Sequence, residues 1–220
     1  SIVLTPQTPV PKDFFAPFLD NSGHFYPGTK ILGLASAGGQ QMPVLTAAGA
    51  DCTVLDLSDS QLEREKRVAQ RENYEISVIK ADMTQPLPFE DESFDVIVYP
   101  VSNCYIENVQ PVWQEAYRVL KKGGILLSGL DNGFNYLFNS YKEKMTVENI
   151  LPYNPLKNPA QMALAIKEND GVQFSHTFGE QIGGQLQAGF VLTAAFEDFF
   201  DADSKKFHGF PEFWATKAVK

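Results

Sequence analysis

Apolar positions come in short blocks along this chain, separated by polar stretches. Lys30–Leu34 is an apolar run that opens into a small-residue loop, Ala35–Gly39. Gln40–Ala48 predicts a helix stopped by Gly49, and Thr53–Leu55 predicts a second strand that closes on Asp56. Ser58 and Gln61 have the form of a capping box and open a charged helix through Glu72. Glu75–Lys80 predicts a third strand, with Asp82 at its end, and Phe94–Tyr99 a fourth, introduced by the polar turn Glu90–Ser93. Val109, Val112, Trp113, Ala116 and Leu120 recur at helical spacing up to Gly123, and Ile125–Leu130 is a fifth strand. Residues 131–176 break this rhythm with Asn and Pro clusters and scattered aromatics. Phe178, Ile182 and Leu186 then mark a helix ended by Gly189. Phe190–Phe196 and Glu212–Val219 are two further strands, separated by a polar turn with Asp201, Asp203 and Lys205.

Strands alternating with helices predict an α/β fold with a doubly wound, mostly parallel sheet. The last two strands have no helix between them, so they predict an antiparallel hairpin at the edge of what is then a seven-stranded sheet. Residues 1–29, rich in Pro and Phe, are expected to form a loosely structured lead-in with a short helix near Asp13–Leu19. Residues 30–220 then form one domain, with the stretch at about 131–176 as a mobile insertion or lid. The chain begins at Ser1 rather than Met, as a processed or trimmed chain would.

Composition narrows the function. Lys and Arg number 18 against 27 Asp and Glu, a net charge of −9. Binding to nucleic acid draws on cationic side chains that neutralise phosphates, so a nucleic-acid partner is not expected. No apolar run is long enough to enter a membrane as a helix, and no signal pattern is visible. Cys52 and Cys104 lack metal-ligand spacing, so neither a metal site nor a disulfide framework is expected, and the compartment is read as cytoplasmic.

In open α/β sheets ligands bind outside the carboxyl ends of the strands, and four such ends carry suitable residues. After the first strand, the stretch from Gly33 through Ala35, Ser36, Gly38, Gly39 and Gln40 to Gln41 lets backbone approach a ligand, and a helix N-terminus follows. Asp56 can accept both hydroxyls of a ribose. Asp82 and Met83 can frame an adenine ring. The stretch from Pro100 and Val101 to Tyr105 borders the fourth end. Tight packing alone also selects small residues, and a strand-end Asp also serves as a helix cap. The argument therefore rests on all four occurring in order.

Ile31–Gln41, Val54–Ser58, Ala81–Met83, Ser93–Val98 and Arg118–Gly124 together resemble class I S-adenosylmethionine-dependent methyltransferases. The group is the methyltransferase-11 or ubiquinone/menaquinone type, and the wording of Pro100–Tyr105 and Glu180–Leu186 resembles an uncharacterised bacterial branch. The resemblance covers roughly residues 30–220. It implies a Rossmann-like methyltransferase fold and S-adenosylmethionine as methyl donor, leaving S-adenosylhomocysteine as product. It also implies site roles. Ala35, Gly38, Gly39 and Gln40 would line the methionine and ribose part, and Asp56 would bind the ribose hydroxyls. Leu57, Asp82 and Met83 would surround the adenine, with Pro100 and Val101 on the sulfonium side. Two departures stand out: Gly33 occupies the family's acidic position, and Ala35 and Ala37 replace its first two glycines. The branch also carries a helical segment ahead of the first strand, so the short lead-in here is expected to leave part of a cofactor cover missing.

The activity expected is methyl transfer to a small-molecule acceptor, fairly apolar or cationic. His24, Tyr105 and His176 are the candidate bases. Pro100-Val101-Ser102-Asn103 departs from the pattern of exocyclic-amino DNA methyltransferases, and Cys104 lacks the preceding Pro of a cytosine C5 enzyme. Two other readings stay open. A degenerate cofactor-binding accessory domain is motivated by the two alanines. A nicotinamide-dependent Rossmann oxidoreductase shares the loop and Asp56 but lacks its G-x-G-x-x-G spacing.

Overall fold

The computed structural model describes residues 2–138, 146–169, 171–200 and 209–220. The polar turn expected around Asp201, Asp203 and Lys205 lies outside the described residues. Seven strands form one sheet: β1 (Lys30–Leu34), β2 (Asp51–Asp56), β3 (Ser77–Lys80), β4 (Phe94–Tyr99), β5 (Leu120–Asp131), β6 (Val191–Asp198) and β7 (Phe213–Val219). Their spatial order is β3-β2-β1-β4-β5-β7-β6. The first five run parallel, and β7 pairs antiparallel with both β5 and β6. The expected doubly wound sheet with an antiparallel edge hairpin is therefore what the chain forms. The helices are α1 (Met42–Ala47), α2 (Asp59–Glu72), α3 (Gln110–Val119), α4 (Pro159–Glu168) and α5 (Gly184–Ala188). None among the described residues is long and apolar enough to cross a membrane.

Parallel strands covered on both faces read as continuous apolar runs. In β1 every residue after Lys30 is buried. Two core layers result. One joins Ile31, Val54, Val96, Val98 and Leu127 to Met42 and Leu45 of α1 and Leu62 of α2. The other joins Leu32, Leu34, Ile97 and Leu126 to Val112, Trp113 and Ala116 of α3. Here burial and not local propensity sets the elements' limits. β5 is longer than expected because Leu120 already pairs with Phe94, directly at the end of α3. The helix expected over Gln40–Ala48 is shorter, because left-handed backbone at Ala37 and Gly39 precedes it.

The lead-in is not loose. Its Ile2, Leu4, Val10, Phe14, Phe15 and Phe25 belong to the first core layer, with a 3-10 turn at Lys12–Phe18. The Leu4 carbonyl accepts the Val101 N–H at 3.1 Å, and the Val3 N–H donates to the buried Gln41 side chain at 3.0 Å. At the other end of this strap, the Asp198 carboxylate accepts from the Gln7 N–H, the Thr8 N–H and the Thr8 hydroxyl, each at 2.8 Å. The crossing of lead-in over β5 needs Gly129, since a methyl group there would overlap the Leu4 carbonyl. Gly129→Ala is expected to destabilise the fold by about 1–3 kcal/mol, as overpacking does. Urea denaturation reads this loss, and an unchanged midpoint would contradict the packing described.

Candidate functional site

The strand order reverses between β1 and β4, the place where open α/β sheets leave a crevice. A cavity of about 520 Å³ lies there. Ala35 and Ala37 beyond β1, Asp56 and Leu57 at the end of β2, and Asp82 and Met83 beyond β3 line it, with Val101 and Tyr105 beyond β4. Its size falls within the roughly 300–1,000 Å³ typical of small-molecule sites. Among the described residues no Lys or Arg lines it.

Both carboxylates are half-buried and bonded within their own loops. Asp56 Oδ1 accepts the Ser58 N–H at 2.8 Å, and Asp82 Oδ1 accepts the Thr84 N–H and hydroxyl at 2.8 Å. Each aspartate is held by one oxygen, and among the described residues its Oδ2 has no recorded partner. Such a carboxylate is oriented in advance and keeps an acceptor for a ligand. The bond to Asp56 also replaces the expected capping box. The Ser58 hydroxyl pairs with Ser60 at 2.9 Å, and the Gln61 amide oxygen leaves the helix to accept the Gly38 N–H at 3.0 Å.

The loop after β1 follows a glycine path with alanines in it. Ala35 has φ 45° and Ala37 φ 60°, beside Gly39 at 73°. A Cβ in this region costs about 1–2 kcal/mol per residue. Six of the residues expected to bind the ligand come together on the cavity: Ala35, Asp56, Leu57, Asp82, Met83 and Val101. Gly33, Ser36, Gly38, Gly39, Gln40 and Pro100 stand outside its lining. Ser36 is buried with its hydroxyl unpartnered, and Gly33 is packed so that a Cβ would stand 2.5 Å from the Ser36 Oγ. The Gly38 and Gly39 N–H groups are taken by α2. Of the three candidate bases only Tyr105 lines the cavity. His24 lies in an exposed turn beside the Ser22 hydroxyl at 3.0 Å, and the buried His176 has Nε2 3.0 Å from the Asn103 carbonyl.

Behind Tyr105 runs a buried polar network that sequence reasoning missed. Asn103 Nδ2 donates to Gln181 Oε1 at 2.8 Å, and Asn103 Oδ1 accepts the Asp131 N–H at 3.1 Å. Gln181 Nε2 donates to the Asp131 carbonyl at 2.8 Å. The Phe174 N–H donates to the Cys104 carbonyl at 2.7 Å, so the return of the 131–176 stretch is fastened to the same turn. Gln181 lies in a π-helical turn, Gly179–Gly183, which replaces the first half of the helix expected there. Gly184, just beyond it, packs where a Cβ would stand 2.5 Å from the Trp113 ring. Paired glycines flanking a polar residue were the available signal for this turn. Cys104 beside the network is buried, and its thiol is pushed up to about 12 by desolvation.

Comparison with known proteins agrees with this architecture. A family model described as a methyltransferase domain matches residues 32–128. The uncharacterized methyltransferase YbaJ of Bacillus subtilis is 46% identical over 202 residues, covering 90% of this chain and 76% of its own. A sterol 24-C-methyltransferase of Aspergillus fumigatus is 32% identical over 101 residues, 44% of this chain and 26% of its own. Among solved structures, an S-adenosylmethionine-dependent methyltransferase from Mesorhizobium loti superposes with a TM-score of 0.70 at 19% identity, over 88% of this chain and 92% of that one. A geranyl diphosphate methyltransferase in complex with SAM gives 0.64 at 16%, over 94% and 83%.

Asp131, at the end of β5, joins the buried polar network through its backbone and carries a buried carboxyl beside it. Its carboxyl is 5% exposed and accepts the Gly133 N–H at 2.7 Å. Desolvation, with Glu212 nearby, pushes it up to about 7 from 3.8. In that window the unfolded chain has released this proton while the fold keeps it, so this group's contribution to stability falls as pH rises from about 4 to 7. Asp131→Asn keeps an oxygen for Gly133 and removes the titration. Relative to the parent it is expected to gain stability progressively over this range and level off above it. The total is on the order of a few kcal/mol. Urea unfolding of both proteins at pH 5 and pH 8 checks this, and a pH-independent difference would contradict it.

Proposed function

The chain belongs to the S-adenosylmethionine-dependent methyltransferases, and from that premise we propose that it methylates a small organic acceptor, apolar or cationic, at the cavity above β1–β4. The relative covered over 76% of its length carries the family, and the structural neighbours match its fold. The observation that carries the site reading is the cavity at the strand-order reversal, lined by residues from the ends of four successive parallel strands. Nothing in the fold or the comparisons favours the nicotinamide-dependent or accessory reading.

The donor set suits S-adenosylmethionine. The unshared oxygen of Asp56 would accept from the ribose hydroxyls. Leu57 and Met83 supply apolar surface for the adenine, and Asp82 an acceptor for its amino group. Val101 and Tyr105 would border the sulfonium end. When bound, S-adenosylmethionine supplies a methyl group already activated for displacement. What remains for the protein is proximity, alignment and exclusion of water. Asp56 and Asp82 orient, the buried Asn103–Gln181 pair fixes the turn carrying Tyr105, and the apolar wall keeps the site dry. Tyr105 is the titratable candidate beside the acceptor's place, and its hydroxyl would hold or pass a proton there where the acceptor has one to lose. A lining without Lys or Arg among the described residues, on a chain of net charge −9, argues for an acceptor that is not polyanionic.

Asp56→Ala is expected to leave the fold intact and to weaken S-adenosylmethionine and S-adenosylhomocysteine binding at least about tenfold, as loss of a charge-assisted hydrogen bond does. Isothermal calorimetry with both ligands checks this. Unchanged affinity in a folded variant would overturn the assignment of this cavity as the donor site.

A further inference from the structure

The loop after β1 holds left-handed backbone at two alanines, and at its start the Ala35 N–H donates to the Leu55 carbonyl at 2.8 Å. Further along, the loop's backbone is held from α2. Gln61 and Glu65 are four residues apart and so share a helix face. Gln61 Oε1 accepts the Gly38 N–H at 3.0 Å, and Glu65 Oε2 accepts the Gly39 N–H at 2.6 Å. The loop lies flush on this face. A Cβ at Gly38 would stand 2.5 Å from Arg64 Cβ, and one at Gly39 2.5 Å from Val68 Cγ2.

Glu65 is fully buried, and its other oxygen accepts the Tyr74 hydroxyl at 3.1 Å. No cation pairs with it among the described residues. Burial raises its pKa, opposed by the bonds from Gly39 and Tyr74. A buried carboxyl without a cation is a poor device for stability alone, since an apolar residue of similar size would serve the core better. Successive backbone N–H groups in such a turn form a concavity that binds anions. Here the chain fills that concavity with an acid of its own.

We propose that Glu65, assisted by Gln61, is a positioning residue for the donor site: an internal acid that clamps the Ala35–Gly39 loop into the left-handed path its alanines resist, and so holds the β1 wall of the cavity open for the donor. The proposal rests on reading that cavity as the donor site. It accounts for how alanines can stand where glycines are the usual choice. It also implies that the donor's own carboxylate is not recognised by the Gly38 and Gly39 N–H groups.

The test uses the full chain and two readouts, amide hydrogen exchange of residues 35–41 without ligand and S-adenosylhomocysteine affinity by calorimetry. In Glu65→Ala the half-buried Gly39 N–H loses its acceptor. Exchange in the loop and the dissociation constant are each expected to rise about tenfold. Glu65→Gln keeps an acceptor for Gly39 and is expected to hold both readouts within about threefold of the parent. Adding Ala37→Gly to Glu65→Ala is expected to recover most of the affinity, because glycine adopts the left-handed path unaided. A role confined to core packing would not be rescued this way. Absence of that rescue, or faster exchange with unchanged affinity, overturns the proposal. Should Glu65→Ala fail to fold, Gln61→Ala carries the same readouts at Gly38 and the same rescue. If the parent itself does not bind S-adenosylhomocysteine, it is the reading of the cavity that fails. The exchange measurement then still decides the clamp, which is overturned if the loop exchanges at the parent rate.

Discussion

Parallel strands must be covered on both faces, and that constraint organises this chain from its first described residues onward. One face of the sheet takes α3, with Trp113 fully buried at its centre. The other takes α1, α2 and the lead-in, whose Leu4, Phe14 and Phe25 supply apolar surface that the short α1 does not. With both faces closed, the only openings left to a parallel sheet are its ends. The carboxyl ends gather there the loops that leave β1, β2, β3 and β4. The cavity is thus a consequence of how the core is closed, and Leu55 and Met83 belong both to its lining and to the core layer on the α3 face.

Much of this was legible locally. β1 and β4 run as the apolar blocks predict, and Asp56, Leu57, Asp82, Met83 and Val101 reach the cavity expected of them. The pattern failed where a distant partner decided the outcome. Ser58 and Gln61 have the spacing of a capping box, yet Gln61 serves Gly38 across the groove between α2 and the loop. Glu65 looks like one more charge on a solvated helix. Its signal was its place on the stripe Leu62, Glu65, Ala69, the buried face of α2. Phe14 and Phe25 carried a hydrophobic signal with no period, because they fill gaps and do not repeat along an element. Asn103 and Gln181 are 78 residues apart, and no local rule pairs them.

The polar interior divides into two parts with different jobs. Beneath the loop after β1, the Glu65–Gly39 contact acts on the backbone of the cavity wall. Across the sheet, the Asn103–Gln181 pair acts on the turn that carries Tyr105 and ties it to the end of β5 and to the returning 131–176 stretch. Both use fully buried side chains to satisfy backbone groups of loops. Such groups would otherwise be costly to enclose, because a buried donor or acceptor without a partner loses its hydration for nothing.

The strap formed by the lead-in also has a bearing on biosynthesis. Its inner contact joins Leu4 to Val101, and its outer one joins Gln7 and Thr8 to Asp198, 191 and 190 residues away in the chain. Residues 2–10 are translated ahead of their hydrogen-bonding partners, which emerge only after β4 and, at the far end, β6 have been made. Until then the apolar Ile2, Leu4 and Val10 have no surface to cover, and closing so long a loop adds its own entropic delay. The strap is therefore translated well before it can be seated, its inner contact waiting for Val101 beyond β4 and its outer one for Asp198 at the end of β6.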